Sequence, residues 1–320
     1  RTGELWPIPA TQNPELQILP EPYSPLTGEP LKNSLREQFG PDFEIVQTPH
    51  YVICTNAGTG YGEWCGQLFE RLHGGFSRFW KDRLPEFSPP DQPLIAIAFA
   101  TPEEFERFQI ADAGGQVSGA LGYYSAKTNR MVLYDHSYAS GRATSAEEAR
   151  KRSLVQLNSI ATVVHEAAHQ LSFNVGLQTR YADNPIWLSE GMAMYFETPD
   201  LEGRSGWKTI GHINPARLDS YREIEKSRPI DLRTLLATDD RFREPALAGE
   251  AYSEAWALHF YLLRTQKEKY IQYIQRIGSK PPLKRDTPEE RIADFEAAFG
   301  SLEEVTTAQR KFMTRLRAGR

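Results

Sequence analysis

Apolar and polar residues follow two different periods along this chain. In "DFEIVQTPHYVICT" and "PLIAIAFA" (Pro93–Ala100) the apolar residues crowd together in short, strand-sized runs. "EWCGQLFERLHGGFSRFW" instead places Trp64, Leu68, Leu72, Phe76 and Phe79 at helical intervals. "TPEEFERFQ" starts another helix, with Thr101 as N-cap, Pro102 at the first helical position and Glu104 completing a capping box. "RMVLYDHS" (Arg130–Ser137) reads as a short strand. From about Ala146 the pattern is mostly helical, over Glu147–Phe173, Asn184–Glu197, Pro215–Lys226, Leu232–Thr238 and Glu250–Thr265, with further amphipathic segments up to Arg317.

The expected fold class is therefore α+β. A mixed N-terminal part with a small sheet covers residues 31–145, and a mostly helical part covers 146–320. Residues 1–30 hold seven prolines and little periodic hydrophobicity, so they read as an extended arm. "ADAGGQVSGALGYYS" is rich in glycine but lacks the Gly-Lys-Ser/Thr ending of a phosphate loop, and reads as a flexible surface loop.

The chain has 320 residues, 40% of them hydrophobic, enough for a large core and about two domains. Its net charge is -5, with Lys and Arg scattered among Asp and Glu, which leaves no basic stripe for a nucleic-acid backbone. The longest apolar run is far short of the roughly 20 residues that cross a bilayer. Cys54 and Cys65 could be inert buried thiols or could pair across a short loop in an oxidising compartment. The start at Arg1, the proline-rich arm and the two cysteines point to an exported protein, periplasmic or extracellular.

The chemistry lies in "TVVHEAAHQLSF". With Leu154 at zero and about 100° per residue, Leu157, Ile160, Ala161, Val164, Ala168 and Leu171 fall into one arc about 100° wide, a core-facing stripe. His165 and His169 lie beside it, within about 40° of each other, with Glu166 a step further round. Two imidazoles one turn apart on a rigid helix supply two corners of a zinc tetrahedron. Glu166, next to the first of them, can take a proton from a water activated by the metal and return it to a leaving amine.

His-Glu-x-x-His arises by chance in roughly one chain in a hundred of this length, so the motif needs a third ligand. "NPIWLSEGMAMYFE" offers Glu190. Asn184 can cap this segment, Pro185 suits its first turn, and Gly176 marks where the preceding helix stops. Gly191 costs about 1 kcal/mol against alanine inside a helix, a cost easiest to understand if another backbone or the metal-site helix packs tightly there.

With "HEAAHQ" followed by "WLSEGMAMYFE", the sequence resembles the gluzincin metallopeptidases of the peptidase-MA-like group. The wording around Glu190 is similar to the Trp-Leu-x-Glu-Gly-x-Ala pattern of M1 aminopeptidases, and closer still to a bacterial family known only as a domain of unknown function. The resemblance is sharp over Thr162–Glu197 and looser from Tyr51 to Leu263. It implies a zincin-like active-site helix between the two parts, with a cleft there. It also implies one zinc ion held by His165, His169 and Glu190, Glu166 as general base, and a peptide or protein as substrate. It further implies a downstream tyrosine that stabilises the oxyanion, a place filled by Tyr252. The Gly-x-Met-Glu-Asn signature that grips a free amine in the aminopeptidases is missing, which favours an endopeptidase. "RMVLYDHS" could then pair with an extended peptide.

His136, His212 and His259 could serve as substrate or supporting groups, although lone histidines are more often surface or core residues. Glu197 suits a brace for its helix, and Asp183 and Asn184 suit caps. Two competing functions use the same residues: a catalytically silent zinc-holding binding or scaffold protein descended from peptidases, and a hydrolase of non-peptide amides.

Overall fold

The two densest apolar runs form the middle of a five-stranded sheet, and the chain is α+β. This computed structural model describes residues 24–84, 87–113, 121–138, 141–154, 157–198 and 207–317. They belong to two compact units. One takes in the chain up to His73 and Pro90–Gln170, the other Gly74–Pro89 and everything from Leu171.

The elements of the first unit are α1 (Gly28–Phe39), β1 (Glu44–Gln47), β2 (Tyr51–Thr55), α2 (Thr59–Lys81), β3 (Leu94–Phe99), α3 (Pro102–Ala113), β4 (Gly122–Ser125), β5 (Arg130–Tyr134), α4 (Ala146–Ser153) and α5 (Leu157–Asn174). The last turns of α2 and α5 are counted with the second unit. Strand order is β1-β2-β3-β5-β4; β2, β3 and β5 run parallel, while β1 and β4 are antiparallel to their neighbours. All five residues of β2 are buried, which is why its sequence lacks alternation: a parallel strand covered on both faces has no polar side. Val52, Cys54, Ile97 and Val132 on one face pack with Leu31 and Leu35 of α1 and Phe105 of α3. On the other, the Tyr51 ring lies 5.2 Å from that of Phe69 in α2.

Several expectations are refined. "DFEIVQTPHYVICT" holds two strands, β1 and β2, joined at Thr48–His50. The long helix expected over Glu147–Phe173 is two, α4 and α5, with 155–156 outside the described residues. Only half of the expected capping box forms on α3: the Glu104 N–H donates to Thr101 Oγ1 at 3.3 Å, but the Glu104 carboxylate accepts from Asn56 Nδ2 at 3.0 Å instead of turning back to the cap. Residues 1–23 of the arm lie outside the described residues, and α1 already begins at Gly28. Residues 114–120 of the glycine-rich stretch also lie outside them, and the remainder of that stretch ends α3 and forms β4.

The second unit holds α6 (Ile186–Phe196), α7 (Pro215–Ser227), α8 (Leu232–Leu236), α9 (Asp240–Arg243), α10 (Pro245–Thr265), α11 (Lys267–Gly278), α12 (Pro288–Phe299) and α13 (Leu302–Arg315). Helix α10 is buried all round from Ser253 to Leu263, the mark of a central core helix, and packs along α6, α7 and α9. Trp187 of α6 meets Tyr273 and Phe295 at ring distances of 6.0 and 5.9 Å. Among the described residues no helix is long and apolar enough to cross a membrane.

Candidate metal centre

Helix α5 buries Ile160, Val163, Val164, Ala167, Ala168 and Leu171, close to the stripe read from the sequence. Its rotation about its own axis is set by Gln170. That side chain is fully buried, and its Nε2 donates to two backbone carbonyls at the sheet, Ile95 O at 2.9 Å and Asn129 O at 3.1 Å. A buried amide held at two points cannot turn without leaving polar groups unmatched, which costs about 1–3 kcal/mol each. The neighbouring His169 is thereby held in place, as is His165 one turn earlier.

The two histidines are each 9% exposed, and their Nε2 atoms lie 3.1 Å apart. A tetrahedral zinc with bonds of about 2.0–2.1 Å to nitrogen has ligand atoms about 3.3 Å apart. The imidazoles therefore already stand at the separation that a shared ion requires. Glu166, between them in sequence, points to the sheet: its Oε2 accepts the backbone N–H of Tyr124 in β4 at 2.9 Å. A hydrogen bond to an ionised carboxylate is about twice as strong as a neutral one and fixes its direction.

β4 rather than β5 lies at that end of the sheet. β5 is paired on both sides, with β3 and with β4, so the expectation that "RMVLYDHS" could accept an extended peptide is corrected: its backbone groups are already used in the ladder.

Glu190 lies on α6. The first turn of this helix is not capped as the sequence suggested. Pro185 occupies the N-cap position without a side-chain bond, and Asn184 turns its amide to the carbonyls of Thr179 and Ala182. The Ile186 N–H instead donates to Asp239 Oδ1 at 3.0 Å, from the turn before α9. Asp183, also expected to cap, is buried in a two-pronged ion pair with Arg291 of α12.

Gly191 meets the tight neighbour that its presence implied, and that neighbour is α10. A Cβ at this position would lie 2.7 Å from His259 Cβ and 2.9 Å from the Ala255 carbonyl oxygen. Alanine gains about 1 kcal/mol in helix propensity, but overpacking costs about 1–3 kcal/mol. One obstructing atom is backbone and cannot swing aside. Gly191→Ala is therefore expected to destabilise the chain by up to about 2 kcal/mol net, read as a lower urea midpoint; a raised midpoint would show that α6 and α10 separate freely.

His165 and His169 on α5 supply two imidazoles and Glu190 on α6 a carboxylate, donor types that zinc accepts. The other residues singled out fall elsewhere. Glu197 ends α6 and accepts from Asn214 Nδ2 at 2.6 Å and Arg217 Nε at 3.3 Å, the bracing role expected. Arg217 lies over the ring of Tyr252, 5.7 Å from its centre, and Phe242 meets that ring edge-on at 5.5 Å. His259 is buried in the core beside Tyr270, 2.5 Å from Nδ1 to the hydroxyl, and burial pushes its pKa down to about 3. The His136 ring lies tilted against that of Tyr134 with centres 4.0 Å apart, and His212 is exposed before α7. Cys54 and Cys65 are separate buried thiols, that of Cys54 pushed up to about 12 by burial.

Sequence reasoning missed Gln170, the Tyr124 N–H and the Asp239–Arg291 support. Gln170 carried a signal: an amide beside the apolar stripe must find buried partners. The others carried none, because a backbone donor has no letter and an ion pair across 52 residues has no period.

A profile of the family described as "Protein of unknown function (DUF1570)" matches residues 159–284. None of the curated proteins is similar enough to count as a relative. Among solved structures, the chain is similar to a mutant of an M1 zinc metallopeptidase from Deinococcus radiodurans, at 15% identity and a TM-score of 0.37, over 84% of this chain and 50% of that one. The chain spans about half the length of that protein, and the likeness is too distant to carry an activity across.

Proposed function

We propose that this chain is a zinc-dependent peptidase, acting within peptides rather than on their free amino ends. His165, His169 and Glu190 would hold the ion. The observation that carries this reading is the 3.1 Å separation of the two Nε2 atoms. Order of residues supports it further, since the paired histidines, the adjoining glutamate and the glutamate on the next helix follow the gluzincin sequence. The missing Gly-x-Met-Glu-Asn motif is what favours internal cleavage.

When bound, zinc supplies Lewis acidity and lowers the pKa of water toward about 7. Glu166 takes the proton of the attacking water as its oxygen bonds to the peptide carbonyl carbon. As the C–N bond breaks, Glu166 delivers that proton to the departing nitrogen, so the carboxylate ends as it began. The Tyr124 N–H, bonded to Oε2, fixes the direction of this carboxylate against β4. The Tyr252 hydroxyl is assigned to the developing oxyanion, where a donated hydrogen bond lowers the barrier.

Metal analysis tests the ligand set. The purified chain is expected to lose one equivalent of zinc on His165→Ala and likewise on Glu190→Ala, measured by mass spectrometry of the metal against the unaltered chain. Zinc content indifferent to both substitutions would overturn the proposal.

A further inference from the structure

A second group of donors lies in the first unit, sharing no residue with α5 or α6. His50 stands at the turn between β1 and β2, while Glu70 and His73 lie one turn apart on α2. One ligand atom of each lies within 4.8 Å of the others. The imidazoles of His50 and His73 stack, with ring centres 3.9 Å apart and planes at 22°. Glu70 is held from three directions: Thr48 Oγ1 donates to Oε1 at 2.6 Å, the His50 N–H donates to the same oxygen at 2.7 Å, and His50 Nδ1 lies 2.7 Å from Oε2.

A hydrogen-bonded cluster accounts for His50 and Glu70 but not for His73. Its side chain is 6% exposed, and its Nε2 is buried without a hydrogen-bond partner. Leaving such a group unmatched costs about 1–3 kcal/mol.

We propose that His50, Glu70 and His73 form a second divalent-metal site, for zinc or another imidazole-preferring ion. Two imidazoles and one carboxylate are a donor set for such ions, with a water taking a further position. Thr48 and the His50 N–H orient the carboxylate in the way outer hydrogen bonds commonly direct a ligand. Stacked rings cannot both face one ion, because a metal lies in the plane of each ring it binds, so one ring turns on binding. Bringing the donors to the roughly 3.3 Å of a tetrahedral edge falls to His50, whose side chain is 46% exposed and would exchange its Nδ1 bond with Glu70 for the ion. Bound metal would then tie the β1–β2 turn to α2.

The inference does not rest on the peptidase reading, and zinc titration separates the two. The chelator-stripped full chain is titrated with Zn2+ by calorimetry, beside His50→Ala, Glu70→Gln and His165→Ala. Two equivalents are expected for the unaltered chain and one for each variant. His50 is half-exposed, so its replacement leaves the fold intact. Removal of one equivalent by His50→Ala upholds the site even if His165→Ala removes none. Equal stoichiometry in the unaltered chain and His50→Ala, or uptake only at millimolar zinc, overturns it.

Discussion

Glu166→Gln is expected to abolish nearly all hydrolysis while leaving zinc content unchanged. Glutamine has the same shape, and its amide oxygen can still accept the Tyr124 N–H now held at 2.9 Å, so neither α5 nor β4 has reason to move. What disappears is a group able to take and return a proton. General acid–base catalysis contributes about 10²–10⁴-fold, or about 3–5 kcal/mol of barrier. The measurement is kcat/KM on an unstructured peptide, with metal content determined on the same sample. Tyr252→Phe extends the experiment: loss of one oxyanion donor is expected to lower kcat about 10²–10³-fold with zinc retained. Turnover within tenfold of the unaltered chain in Glu166→Gln would remove Glu166 from the mechanism. Peptide bound without products by the unaltered chain would favour the silent scaffold instead.

The features legible in the sequence are those that a short window can contain. The buried stripe of α5, the helix bearing Glu190 and the close neighbour at Gly191 each follow from spacing or from one costly residue, and each is present. Gly176, expected to mark a helix stop, lies just past the end of α5 with a φ of 84°. What failed depends on distant partners. Glu104 had a choice between its own cap and Asn56, and no local rule reveals that Asn56 lies alongside. Assigning an open edge to "RMVLYDHS" failed because strand order is not a property of any strand by itself. Asp183 and Asn184 sit where caps belong, yet the donor at the start of α6 finds an acceptor more than fifty residues downstream, because Arg291 draws Asp183 and Asp239 together.

That arginine carries the largest expected effect on stability. Arg291 is 7% exposed and donates to both carboxylates: Nε and Nη2 to Asp183 at 2.9 and 2.8 Å, Nη1 and Nη2 to Asp239 at 2.9 and 3.0 Å. Arg291→Ala would leave two buried carboxylates without the buried cation between them, with only the more exposed Arg285 and Arg243 at 3.6 and 3.9 Å. Breaking a buried ion pair from one side costs about 3–5 kcal/mol, several times the loss of one neutral hydrogen bond at about 1 kcal/mol. Asp239 also accepts the Ile186 N–H, so the disturbance reaches the first turn of α6, the helix that carries Glu190. The pH dependence gives the effect a signature. Burial alone would raise the pKa of Asp183, but the bonds and charge of Arg291, helped by Lys280 and Arg285, outweigh it and hold the carboxyl below its ordinary value. A group depressed in the folded state contributes stability above its unfolded pKa, about 3.9, and loses it as pH falls through the folded pKa. The deficit of Arg291→Ala in urea unfolding should therefore be full near pH 7 and shrink below about pH 4. A deficit under about 1 kcal/mol at pH 7, or one that does not shrink in acid, would mean that the triad contributes packing rather than charge pairing.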